Sequence, residues 1–226
     1  MLKKWLFRMA KSPWMGKVVG KAFQYASWAI PVKKIRSRKE ILVFHHPQPS
    51  YPNHLILSPK RPVQNLQQMS AAPFSMYFSS IWESANELCA MFPAYHDSFT
   101  LVANGGKRQE VQQVHFHMFT DHPMVHHDLP ETSNEHFFIQ NEELHVLRHP
   151  HPEWELHFIL KPASSSQIAS NEKSRQAYFR SVLLAIHQLD ASFSIVQKGY
   201  SLVYQYNRQK TNQESPVFHI AAGRRL

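Results

Sequence analysis

Apolar positions along this chain change period in a fixed order, and the order occurs twice. Ile41–Phe44 and Leu55–Leu57 are short apolar runs separated by a turn holding Pro47, Pro49 and Pro52. Phe78, Ile81, Trp82, Ala85, Leu88, Cys89 and Phe92 then fall on one face of a helix. Phe99–Val102 is strand-like, and Val111–Phe119 is a second β-rich run that carries histidines. The same order returns over 144–226. Two runs flank prolines in 144–162, a helix is marked by Tyr178, Val182, Ala185, Ile186 and Leu189, and the runs Tyr200–Val203 and Val217–Ile220 follow. Each half therefore reads strand, turn, strand, helix, strand, strand, which predicts an α+β fold with a mostly antiparallel sheet and a packed helix per half.

The two halves also match residue by residue. ILVFHHPQPSYPNHLILSPK at 41–60 and LHVLRHPHPEWELHFILKP at 144–162 align without a gap at an offset of 103. His46 falls on His149, His54 on His157 and Pro59 on Pro162. A shared HPxP, an aromatic, a histidine and a proline at fixed spacing mark an internal repeat. Ahead of it, Leu2, Trp5, Leu6 and Met9, then Val18, Val19, Ala22, Phe23 and Ala26, form two amphipathic helical stripes. Ser12-Pro13 starts the second and Pro31 ends it. The boundaries that follow are a basic helical extension at 1–36, a first repeat at 37–121, a polar linker at 122–140 and a second repeat at 141–226.

Composition sharpens this division. The chain has 226 residues, with 25 Lys and Arg against 16 Asp and Glu, a formal charge of +9. Residues 1–40 hold 11 of the basic residues and one acid, so they carry +10, and the remaining 186 residues sum to −1. The basic character is thus N-terminal, and a nucleic-acid partner is disfavoured for the body. For the extension two readings stand: helices packed on the body with solvated lysines, or an interfacial helix on an anionic membrane surface. A secretory signal fits poorly because Lys17 and Lys21 break the apolar stretch. No apolar run approaches the roughly 18 residues of a spanning helix, and a 43% hydrophobic content is too high for a chain disordered throughout. The single Cys89 excludes an intramolecular disulfide framework and suits a reducing compartment. A cytoplasmic location, with peripheral membrane attachment as an addition, is the expectation. Six glycines leave no room for a Gly-rich phosphate loop.

The candidate chemistry lies among the 16 histidines. Alternation along Gln113-Val114-His115-Phe116-His117-Met118-Phe119 points residues 113, 115 and 117 to one face. This segment resembles the His-φ-His-φ-His-φ-φ signature of the histidine-triad (HIT) family, φ being apolar. His54-Leu55-Ile56-Leu57-Ser58-Pro59-Lys60 resembles that family's H-x-φ-φ-x-P-K block. Leu101-Val102-Ala103-Asn104, with Gln109-Glu110-Val111, resembles its L-V-x-N strand and G-Q-S-V turn. Two HIT-like repeats in one chain are similar to the arrangement in galactose-1-phosphate uridylyltransferases and dinucleoside tetraphosphate phosphorylases.

The resemblance implies a nucleotide hydrolase or nucleotidyl transferase that works through a covalent nucleotidyl-histidine. Its substrate would be a nucleotide, nucleotide-sugar or dinucleotide. His115 would be the nucleophile, and His117 would bond a phosphoryl oxygen or the leaving group. Asn104 and Gln109 would contact substrate, with His54 and Gln113 in the orienting cluster. No cofactor is implied. The histidines beside prolines, His45, His46, His149 and His151, read first as turn residues. Zinc held by some of them with His126 and His127 is the weaker reading, because no cysteine pair supports it.

The chain departs from the signature at Gln113, where a histidine is expected, and at Glu110, where Ser or Thr is usual. In the second half the sequence places His219 on Gln113, Ala221 on the nucleophile and Gly223 on the third triad position. An alanine cannot attack phosphorus, so one competent site per pseudo-dimeric chain is expected, with His219, Arg224 and Arg225 as candidate phosphate contacts. A non-catalytic nucleotide-binding or interaction module is the alternative that these departures keep open.

Overall fold

A computed structural model describes residues 33–37, 40–120, 137–164, 168, 171–208 and 216–226. The expected helices of 1–30 and most of the linker lie outside the described residues. The first half contains β1 (Lys34–Ser37), β2 (Ile41–His45), β3 (Leu55–Pro59), helix α1 (Ala71–Met91), β4 (Ser98–Gly105) and β5 (Phe116–Phe119). The second contains β6 (Phe137–Gln140), β7 (Leu144–Arg148), β8 (Trp154–Pro162), helix α2 (Glu172–Phe193), the short α3 (Ile195–Lys198), β9 (Tyr200–Asn207) and β10 (Phe218–Arg225).

All ten strands form one sheet in the order β1-β2-β3-β5-β4-β9-β10-β8-β7-β6. Read outward from the centre, both halves have the same strand order. They meet at β4 and β9, which pair antiparallel from Ser98↔Asn207 to Gly105↔Tyr200. Among the described residues every strand pairing within the halves is antiparallel as well, as the sequence pattern predicts.

The period-two pattern of the strands sorts their side chains onto two faces. Ile41, Val43, Leu55, Leu57, Leu101, Phe116 and Met118 join Leu156, Phe158, Leu160, Leu202 and Ile220 in one continuous core beneath the helices. Phe78 of α1 meets Phe179 of α2 edge-on with ring centroids 4.6 Å apart, so the two helices pack against each other as well as on the sheet. Beside that contact, Arg175 and Glu83 form a 2.7 Å ion pair. Asn171 starts α2 by accepting from the amides of Lys173 and Ser174 at 2.9 and 3.2 Å.

The opposite face carries smaller apolar groups, Leu42-Phe44-Ile56 and Val102-Phe119-Val203, and between them the histidines.

Three element boundaries differ from the sequence reading. Lys34–Ser37 forms strand β1 across the boundary expected at residue 36, and Phe137–Gln140 forms β6 at the end of the expected linker. Both are short edge strands, β1 rich in charge, so neither shows a buried alternation. The third is β5, which begins at Phe116 instead of Val111. Residues 111–115 are a loop, and strand alternation does not govern where Gln113 and His115 point.

Candidate active site

The HPxP turn and β5 bring four imidazoles of the first half together. The turn after β2 holds His46 by an amide: the Gln48 N–H donates to His46 Nδ1 at 3.1 Å. The His46 ring stacks on His54, with centroids 4.1 Å apart and planes 8° from parallel. His54 Nε2 lies 2.8 Å from His117 Nδ1. The His115 and His117 rings are 4.8 Å apart. Tyr51 stacks on Phe119 at 4.3 Å and flanks His54. His54 is buried, whereas His115, His117 and His46 remain partly exposed and within reach of a ligand.

Proton bookkeeping fixes the tautomers. A carbonyl oxygen only accepts, so the 2.7 Å contact between His115 Nδ1 and the Gln113 carbonyl places a hydrogen on Nδ1. His115 Nε2 then keeps its lone pair. The Ser50 N–H donates to His54 Nδ1 at 3.4 Å, so the hydrogen of neutral His54 sits on Nε2 and is given to His117 Nδ1. The remaining hydrogen of His117 is on Nε2, which makes that atom a donor. One unprotonated nitrogen and one oriented N–H thus stand side by side.

Burial favours the neutral form of His54, His115 and His117. It pushes the His54 pKa down to about 4, with further repulsion from His46 and His115. His117 is held well below the ordinary histidine value by burial and by its neighbours His115, His54 and His46. His115 is lowered by burial too, against the opposing effects of the Gln113 carbonyl and the Glu110 charge. At neutral pH the site therefore offers placed donors and a lone pair in place of a positive field.

The other predicted residues divide. Asn104, at the end of β4, lies two residues beyond Val102, the partner of His117, and so shares its face. Its Oδ1 accepts from Ser201 Oγ at 2.7 Å. Gln109 donates to the carbonyls of Gln64 and Val111, bracing the loop that leads to His115. Gln113 corrects the sequence reading. It is 1% exposed, its Oε1 accepts from the Val63 amide, and its Nε2 donates to the carbonyls of Pro59 and Arg61, each near 3.0 Å. Its side chain clamps the loop after β3, and only its backbone carbonyl serves His115. Glu110 is exposed on the loop.

The second half repeats the cluster without a histidine counterpart of His115. His149 stacks on His157 at 4.2 Å and 7°, and His157 Nε2 lies 3.2 Å from His219 Nδ1. His219 pairs with Ile159 and Val203, as His117 pairs with Ile56 and Val102. His219 is thus the counterpart of His117, not of Gln113. Val217 takes the position of His115, and Ala221 that of Phe119. A valine is as incapable of attack as the alanine first aligned there, so the candidate chemistry stays in the first half. His219 is buried in its own cluster, and Arg225 pairs with Glu153 at 3.2 Å.

Sequence reasoning placed His46 among the turn residues. The signal that reveals it is the HPxP histidine recurring at the offset of its stacking partner, His46 with His54 and His149 with His157. Among the described residues, His46-His54-His117 and His149-His157-His219 each offer nitrogens within 4.8 Å of one another, close enough to share a metal ion. Metal binding through Nε2 of His46 or His149 would require that atom to lose its hydrogen, since backbone amides hold the Nδ1 lone pairs.

Residues 28–124 match the family model of the HIT domain. Over 92 residues the chain is 26% identical to an uncharacterised 13.2 kDa HIT-like protein of Azospirillum brasilense, covering 40% of this chain and 75% of that protein. A DUF4931 family protein from Bacillus cereus superposes with a TM-score of 0.60 at 10% identity, over 86% of this chain and 87% of the other. A uridylyltransferase gives 0.62 at 12% identity over 84% and 74%. A GalT-like protein from Arabidopsis thaliana gives 0.61 at 8% over 84% and 78%. These three likenesses are of fold, and they span both halves. The segment that matches the HIT domain, 28–124, encloses the entire His46-His54-His115-His117 cluster, so the likeness to the histidine-triad superfamily lies where the candidate site lies.

Proposed function

We propose that this protein is a nucleotide hydrolase or nucleotidyl transferase that opens a phosphoanhydride or phosphoramidate through a covalent intermediate on His115. The observation that carries the reading is the 2.7 Å bond from His115 Nδ1 to the Gln113 carbonyl, which leaves Nε2 unprotonated at the partly exposed end of the cluster. The HIT-domain match at 28–124 and the fold shared with a uridylyltransferase support a nucleotide or nucleotide-sugar as substrate.

In the first step His115 Nε2 attacks the α-phosphorus and the P–O or P–N bond to the leaving group breaks. The positive charge that develops on the ring is stabilised at Nδ1 by the Gln113 carbonyl. The oriented Nε2–H of His117 donates to a phosphoryl oxygen or the leaving group, and Asn104 adds an amide donor. In the second step water or another acceptor attacks phosphorus, the N–P bond breaks and His115 returns to its starting tautomer. Dividing one displacement into two suits a neutral imidazole, a competent nucleophile near pH 7.

The test is incubation with adenosine 5′-phosphoramidate and with dinucleoside polyphosphates, followed by acid-free trapping. Turnover, with a phosphate-linked adduct on His115, is the expected result. Binding of nucleotide with neither turnover nor adduct, unchanged in His115→Ala, would overturn the catalytic reading and assign a binding module.

A further inference from the structure

We infer that the second half of the chain orients the phosphate-binding amide of the first, with Ser201 and Arg108 as positioning residues acting through Asn104. The inference rests on the nucleotide reading of the site and deepens it.

The geometry is a chain of hydrogen bonds across the central strand pair. Asn104 on β4 lies directly opposite Ser201 on β9. Ser201 is 3% exposed. Arg108 reaches over from the 3-10 turn Gly106–Arg108. Its guanidinium donates to Ser201 Oγ at 3.1 Å, to the Ala221 carbonyl at 2.8 Å and to the Gly223 carbonyl at 2.6 Å. It also lies over the Trp154 ring, 4.2 Å from the centroid. Four groups of the second half thus fix one side chain of the first. Gly106 makes the approach feasible: at φ +58 it turns against the Val196 backbone, where a β-carbon would collide.

The direction of the Arg108 bond follows from what a guanidinium can do. A guanidinium has no acceptor, so Arg108 must donate to Ser201 Oγ. Ser201 has one hydrogen and gives it to Asn104 Oδ1 at 2.7 Å. Asn104 is thereby held with its oxygen toward β9 and its two Nδ2 hydrogens on the other side of the carboxamide, on the face it shares with His117. A free asparagine can present its oxygen as readily as its nitrogen, and an oxygen there repels phosphate. The second half, which has a valine where the nucleophile should be, acts as the template that removes this choice.

The test is a double-mutant cycle on the full chain, with AMP as the probe in titration calorimetry. Ser201→Ala should weaken AMP about tenfold, a coupling typical of residues in one hydrogen-bond network. Asn104→Ala should weaken it by a similar factor, and the double variant no further than Asn104→Ala alone. Ser201→Thr, which keeps the hydroxyl, should restore affinity. Arg108→Lys loses the fork that holds Ser201 and should behave as Ser201→Ala does, silent once Asn104 is alanine. It carries the cycle if Ser201→Ala does not fold by circular dichroism. AMP affinity in Ser201→Ala equal to that of the unaltered chain, or losses that multiply in the double variant, would overturn the inference while leaving the nucleotide reading intact. No AMP binding by the unaltered chain would remove both, a result distinct from either of those.

Discussion

His54 Nε2 and His117 Nδ1 approach to 2.8 Å, whereas the corresponding atoms of His157 and His219 stand 3.2 Å apart. The difference has a local origin. In the first half the Ser50 amide occupies His54 Nδ1 and so assigns the hydrogen to Nε2. In the second, His157 Nδ1 makes no hydrogen bond, so no such assignment is imposed. The cluster with His115 beside it is the one whose proton positions are fixed.

The first prediction concerns that relay. His54→Phe keeps a ring in the stack but removes the donor to His117, which can then turn a lone pair toward the phosphoryl oxygen. Turnover should fall on the order of 10–100-fold, somewhat less than deleting a transition-state donor outright. AMP affinity should change far less. Steady-state kinetics beside calorimetry separate the two, and equal losses in both would mean that His54 serves binding alone.

Much of the histidine cluster was legible in the residues themselves. The gapless HPxP repeat located His54 and His157, and the resemblance around His115 and His117 led to the correct strand. What failed was register. An offset of 103 holds for the hairpins β2-β3 and β7-β8, but His117 and His219 differ by 102. Loops of different length precede β5 and β10, and a strand's position is set by the neighbours it pairs with, which a linear alignment does not contain. Gln113 failed for a related reason. Alternation was extended to it, yet β5 starts at Phe116, and a loop glutamine is free to turn inward and satisfy backbone groups. The edge strands β1 and β6 were missed because an edge has little buried face to show.

Gln113 yields the second prediction. Its buried carboxamide satisfies Val63 N and the carbonyls of Pro59 and Arg61. Gln113→Ala leaves these groups without their partner and should cost about 2–4 kcal/mol of stability, from the penalty for unsatisfied buried groups. Urea unfolding measures it. A loss below about 0.5 kcal/mol would show that the loop after β3 does not depend on the clamp.

The third prediction is a pH dependence of stability. Burial lowers His54 to about 4 and His157 to about 3, the latter with help from His149. The unfolded chain takes up protons at these residues near pH 6.5, and the native chain does not. Their neutral burial is therefore fully tolerated above about pH 6.5, and stability declines as the pH falls from there toward 4. Each residue adds up to about 1.4 kcal/mol per pH unit to the slope. Urea midpoints between pH 7 and pH 4 should fall accordingly, and His157→Asn should flatten the slope by about one residue's share. A midpoint that stays level across this range would contradict the burial of the cluster.

Glu110 supplies the last prediction. Its carboxylate is the charge that opposes the burial-driven lowering of the His115 pKa, and it sits on the loop that carries the nucleophile. Only neutral His115 attacks phosphorus, so the acidic limb of the kcat/KM profile reports its pKa in the free protein. Glu110→Gln removes a charge that favours the imidazolium. The pKa should fall, and activity should persist to lower pH. The same change removes an anion from the loop before His115, so an anionic substrate is repelled less and KM should fall at every pH, and more so at low ionic strength, where screening is weak. The two effects have different signatures: the limb shift belongs to the histidine, and the salt-dependent KM change belongs to the encounter. An acidic limb that moves to higher pH in Glu110→Gln would assign that limb to a group other than His115.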